Sequence, residues 1–136
     1  MAETLGAKLC GGEVIELASD LGGGKTTFTK GIVRGAGSNE HVSSPSFTIS
    51  NEYRAGELTI HHMDFYRLPD AGIMKQELLD VLSDPKSVVI VEWAGIVADV
   101  LPEHRLRIAI TASSENSRSY DFTASDELSY LLPTGL

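Results

Sequence analysis

The sequence predicts one α/β domain in which a mixed β-sheet is flanked by helices. Three observations predict it. Strand-length apolar or alternating segments recur along the chain, helical spacing interrupts them, and no linker, repeat or low-complexity block divides the 136 residues. A chain of this length with 42% hydrophobic residues is able to bury one core of ordinary size, so six strands and three or four helices are expected to share it.

The elements follow in order. In residues 3–9, Leu5 and Leu9 stand on one helical face, and Gly11 and Gly12 close the segment. EVIELAS, residues 13–19, reads as a largely buried strand. KTTFTKGIVRGAGS follows, with Phe28 and Ile32 on one helical face, and Gly31 and Gly35 placed for close packing on a sheet; Gly37 is the expected stop. FTISNEY, residues 47–53, alternates: Phe47, Ile49 and Tyr53 face one way, and Thr48, Ser50 and Glu52 the other. A short RAGE turn joins it to LTIHHMDFYR as a β-hairpin. The spacing of Ile73, Met74, Glu77, Leu78, Val81 and Leu82 predicts a helix over 72–82, stopped before Pro85. SVVIVEW is a continuous apolar run ending in an acid, the pattern of a central strand. Leu106, Ile108 and Ile110, a polar SSENS loop, then Tyr120 and Phe122 predict a second hairpin.

Composition narrows the function classes. The net charge is -8, the wrong sign for a protein that draws affinity from nucleic-acid phosphates, so unaided RNA or DNA binding is disfavoured. No apolar run approaches the roughly 20 residues of a membrane span, and MAETLGAKLC has neither a basic start nor an apolar signal core. A soluble, cytoplasmic chain is expected. Cys10 is the single cysteine, has no partner for an internal disulfide, and is expected to be a buried, inert thiol.

The segment carrying the most chemistry is SDLGGGKTT, residues 19–27, between the first predicted strand and the helix after it. A triphosphate requires converging backbone N–H groups, a lysine for its β and γ phosphates and a hydroxyl to help hold Mg²⁺. Gly22, Gly23, Gly24, Lys25, Thr26 and Thr27 supply that set in order. The helix that opens there adds unpaired N–H groups and the favourable dipole end. Ser19 stands where the phosphate-loop pattern has its first glycine, and a positive φ at that position would cost Ser about 1–2 kcal/mol. Lys25 itself is expected on a solvent-reachable loop. The fold expected is therefore a single P-loop NTPase-like domain over residues 1–136.

Glu92 follows Val88 to Val91, where a buried carboxylate would be costly unless a cation or donor met it, either in a plain buried ion pair or at a functional site. It is the first choice for the acid that meets Mg²⁺ or orients the attacking water, with Lys25 neutralising phosphate charge. Trp93 is placed either to stack on a base or to fill the core. His61 and His62, adjacent in a strand, point to opposite faces and do not suit one zinc ion.

These pieces together resemble the bacterial TsaE (YjeE) family. DLGGGKTTFTKGI, SSPSFTISNEY, HHMDFYRL, VVIVEW and a later LP before an alternating strand occur in the family's order, over roughly residues 3–112. The resemblance implies an ATP- and Mg²⁺-dependent hydrolase that serves threonylcarbamoyl modification of adenosine 37 in tRNA. It implies action through partners of the TsaD and TsaB type, reaching tRNA only indirectly. It also matches Lys25 and Thr26 to the phosphate-loop lysine and the metal-binding hydroxyl, Asp64 to the acid of an H-x-D-x-Y-R motif, and Glu92 and Trp93 to the acid and aromatic closing a second key strand. Ser46 takes the place of a switch threonine that senses the γ phosphate. Ser19, Ser46 and Gly95 depart from the family pattern. No arginine finger stands within the motifs, so slow hydrolysis by the isolated chain and completion of the site by a partner are expected. Two other readings share Lys25 and Thr26: a small-metabolite P-loop kinase, and a nucleotide-binding interaction module that does not hydrolyse.

Overall fold

The computed structural model describes residues 1–19, 24–43, 50–66 and 72–133. Gly22, Gly23 and Ser46, together with Phe47 and Ile49, lie outside them. The described elements are α1 (Ala2–Ala7), β1 (Val14–Ala18), α2 (Lys25–Gly35), β2 (Ser50–Ala55), β3 (Leu58–Asp64), α3 (Gly72–Leu82), β4 (Ser87–Glu92), β5 (Leu106–Ser114) and β6 (Ser117–Thr123). Short 3-10 turns span Ala94–Val97 and Asp126–Leu131. No described helix is long and apolar enough to cross a membrane.

The six strands form one sheet in the order β2-β3-β4-β1-β5-β6. β3, β4, β1 and β5 run parallel, and β2 and β6 close the edges antiparallel. β4 is buried along its whole length because helices or turns cover both of its faces, which is why SVVIVE has no polar alternation. One face packs Ile15, Leu17, Ile60, Ile90 and Ile108 against Phe28 and Ile32 of α2 and Leu5 of α1. The other packs Val14, Met63, Val89 and Val91 against Leu78 of α3 and against Ala94, Val97 and Leu101 beyond β4.

Four details differ from the sequence expectation. Gly31 and Gly35 do not meet the sheet; a Cβ on Gly31 would lie 2.5 Å from Ala2 Cβ, and one on Gly35 would lie 2.0 Å from the Glu3 carbonyl oxygen. Phe28 and Ile32 already occupy the sheet-facing side of α2, so its glycine side is left to receive α1. The first hairpin is tighter than RAGE, since β2 pairs through Ala55 and the chain turns on Gly56, at φ 62°, and Glu57. The second extends into the polar SSENS stretch, where Ser114 pairs with Ser117 after an irregularity near Ala112, because backbone pairing at an exposed hairpin end needs no apolar side chains. Cys10 is exposed rather than buried. Its loop is ordered by Glu13, whose carboxylate accepts the Cys10 and Gly11 N–H groups, both at 2.7 Å, and the Tyr130 hydroxyl at 2.6 Å. Burial and that carboxylate together push the Tyr130 phenol upward.

The α1–α2 contact yields a test. Gly35→Ala is expected to destabilise by about 1–3 kcal/mol, the usual scale of overpacking, because the obstructing atom is backbone and outweighs the roughly 1 kcal/mol of helix propensity gained. An unchanged or higher denaturation midpoint would show that α1 does not pack there.

Candidate functional site

The C-terminal ends of the parallel strands β1, β3 and β4 meet the N-terminus of α2, the usual position of ligands on such sheets. Gly24 caps α2 with φ 96°, a left-handed conformation that glycine adopts without a Cβ penalty. The first internal bond of α2 runs from Phe28 N–H to the Gly24 carbonyl at 3.0 Å. The N–H groups of Lys25, Thr26 and Thr27 precede it and have no carbonyl one turn back within the helix, which makes this end a candidate anion cradle. Thr26 is half-buried and Thr27 exposed.

Lys25 is buried, at 8% exposure, and this corrects the expectation of a solvent-reachable side chain. Its Nζ donates to the Ser19 carbonyl at 3.3 Å, lies 3.7 Å from Glu92 Oε1, and sits 4.8 Å from the centre of the Trp93 ring. The first helical residue is drawn inward because the strand end beneath it carries the counter-charge. Ser19 is not strained: among the described non-glycine residues only Trp93 has positive φ. The cost foreseen for Ser19 is therefore absent, and its carbonyl holds the lysine.

Glu92, buried at the end of β4, faces α2. Its Oε1 is turned to Lys25 and its Oε2 is hydrogen-bonded to His62 Nε2. Asp64 is the Cα partner of Glu92 across β3 and β4, so the two acids stand side by side at the ends of neighbouring strands. The Asp64 carboxylate is buried and accepts the Tyr66 N–H at 2.9 Å. The Phe65 N–H donates to the Glu92 carbonyl at 3.1 Å, which locks the two strand ends together.

Trp93 leaves the strand in the left-handed region, φ 57° and ψ 53°, a conformation that costs a non-glycine residue about 1–2 kcal/mol. That turn lays its ring outside the core, over the Lys25 ammonium and 4.8 Å from the Tyr66 ring. It settles the sequence alternatives against core filling. A cavity of about 210 Å³ opens here, lined by Ser19, Lys25, Trp93 and Gly95 among others. A Cβ on Gly95 would meet nothing within 4 Å, so this departure removes a side chain from open space and leaves the packing intact.

The two histidines do face opposite ways. His61 Nε2 lies 3.3 Å from Ser87 Oγ, and His62 is fully buried against Glu92. Among the described residues no group of three or more His, Cys, Asp or Glu side chains is placed to hold a metal ion. Mg²⁺ does not require such a cage; one or two carboxylates plus phosphate oxygens and water suffice. Asp64, Glu92 and the Thr26 hydroxyl, all oxygen donors on one side of the sheet, fit that smaller demand.

Two groups near the site escaped sequence reasoning. Arg118 Nε lies 3.9 Å from the position a Cβ would take on Gly24, and its guanidinium donates to the Ser114 and Ser117 carbonyls at 3.5 and 3.2 Å. Only the β5–β6 pairing brings it to Gly24, and no local motif announces it. Glu16, in the central strand, holds Arg105 at 3.0 Å and Arg107 at 3.3 Å. An acid within VIELA was the one available signal.

Comparison with known proteins gives a consistent picture. The sequence model of the family described as "Threonylcarbamoyl adenosine biosynthesis protein TsaE" matches residues 1–120. The chain is 44% identical over 114 residues to the tRNA threonylcarbamoyladenosine biosynthesis protein TsaE of Bacillus subtilis, covering 83% of this chain and 70% of that one. It is 36% identical over 141 aligned positions to the protein of the same name from Streptomyces coelicolor, covering 100% of this chain and 88% of the other. The crystal structure of Bacillus subtilis YdiB superposes with a TM-score of 0.76 at 37% identity, covering 96% of this chain and 80% of that chain.

Proposed function

We propose that this chain, which belongs to the TsaE family of tRNA threonylcarbamoyladenosine biosynthesis proteins, is a Mg²⁺-dependent ATP hydrolase that reaches tRNA only through partners of the TsaD and TsaB type. One observation carries this reading: Lys25 opens the helix that follows a central parallel strand, with Glu92 and Asp64 paired at the neighbouring strand ends beside it.

In this reading the α2 N–H groups receive phosphate oxygens, and Lys25 exchanges its contact with Glu92 for the β and γ phosphates. Thr26 Oγ1 and Asp64 would hold Mg²⁺, which when bound would supply neutralisation of charge on the phosphates. Glu92, released from Lys25, orients the attacking water and accepts its proton. The net charge of -8 leaves tRNA to a partner.

The assignment of Thr26 is tested by calorimetry with ATP. Thr26→Ala is expected to weaken binding about tenfold in Mg²⁺, the scale of one lost charge-assisted contact, and to leave binding in EDTA nearly unchanged. An identical loss in both would remove the hydroxyl from the metal.

A further inference from the structure

His62 has no part in the mechanism above, although its side chain is fully buried against the candidate site. Nε2 is hydrogen-bonded to Glu92 Oε2, and Nδ1, also buried, has no hydrogen-bond partner among the described residues. The register explains the contact. His62 pairs with Ile90 and Asp64 with Glu92 across β3 and β4, so alternation turns His62, Asp64 and Glu92 toward the same face, the one covered by α2.

We propose that His62 is a positioning residue for Glu92, donating from Nε2 so that Oε2 is occupied and Oε1 alone is presented to Lys25 and the phosphate site. This rests on the role of Glu92 given above. An ionised carboxylate only accepts, so the proton of this bond belongs on Nε2. A histidine kept for core stability would be expected to satisfy both nitrogens, since a buried polar atom without a partner lowers stability. Here, among the described residues, one nitrogen goes unpaired while the other holds the Glu92 carboxylate. The bond to Glu92 is what this side chain provides that an apolar residue of the same size would not. Glu92 consequently divides its oxygens: Oε1 is 3.7 Å from Lys25 Nζ, and Oε2 is withdrawn behind it.

Two measurements test this. Nitrogen-15 NMR of the imidazole in the intact, nucleotide-free chain is expected to show a proton on Nε2. A bare Nε2 would overturn the proposal whether or not the chain hydrolyses ATP. In the second, His62→Leu is expected to lower kcat for phosphate release by about 10- to 100-fold, the usual scale for removing such an outer partner, with ATP affinity within about threefold of wild type. His62→Gln, whose amide N–H reaches the same place, is expected to recover most of kcat. Unchanged kcat in His62→Leu, or equal loss in the two folded variants, would overturn the positioning role. If wild type shows no hydrolysis, the role of Glu92 fails, and the NMR result still decides where the proton lies. Thermal unfolding of both variants separates loss of fold from loss of positioning, and if the leucine variant does not fold, the glutamine variant and the spectrum remain decisive.

Discussion

Lys25→Ala is expected to abolish measurable ATP binding while the chain stays folded. The ammonium is the one described cation buried at the mouth of α2, and truncating one partner of a desolvated charge pair costs about 2–5 kcal/mol. At 1.4 kcal/mol per decade that is a loss of affinity of roughly 30- to 4,000-fold. The substitution also takes a cation from Glu92, so stability should fall as well, by about 1–3 kcal/mol for a buried polar group short of a partner. The fold survives because His62 still holds Oε2 and the apolar layers on both sheet faces do not involve Lys25. Calorimetry with circular dichroism separates the two effects. ATP affinity equal to wild type in a folded variant would end the phosphate-loop reading.

Glu92→Gln is expected to bind ATP with near-normal affinity and to lower turnover by about 10²- to 10⁴-fold, the range associated with losing a general base. The amide keeps the shape of the carboxylate, and its carbonyl still accepts from His62 Nε2, so packing at the strand end is preserved. What disappears is the negative charge and the basicity that water activation requires. In a pathway reconstituted with TsaD- and TsaB-type partners and unmodified tRNA, the variant should support no repeated modification cycles. Normal multiple-turnover modification would remove Glu92 from catalysis and leave the phosphate site standing.

The parts of this molecule legible in the sequence are those whose physics is local. Helical spacing from Ile73 to Leu82 gives α3 over the residues observed, and the unbroken run of Val88 to Val91 marks β4 as central. GGGKTT between a strand and a helix places Lys25 and Thr26 at the head of α2. What the sequence did not disclose depends on contacts distant along the chain. Lys25 is buried because Glu92 waits beneath it, and neither residue alone announces that pairing. Gly31 and Gly35 advertise close approach without saying to what, and α1, not the sheet, takes the place. His62 stands two residues before Asp64 in the H-x-D-x-Y-R motif, and only the β3–β4 register shows that it lies beside Glu92. Arg118 reaches Gly24 only through the fold of a hairpin. Ser19 shows the converse error, since a pattern position implied strain that the backbone does not contain.

Phosphate release from Mg²⁺-ATP by the wild-type chain, alone and with TsaD- and TsaB-type partners, decides whether this protein is a hydrolase. A partner-completed ATPase releases phosphate slowly as the isolated chain, faster with the partners, and not at all in EDTA. Absence of release under every condition despite tight ATP binding would contradict it and leave a nucleotide-binding module, and transfer of the γ phosphate to a metabolite would contradict it in favour of a kinase.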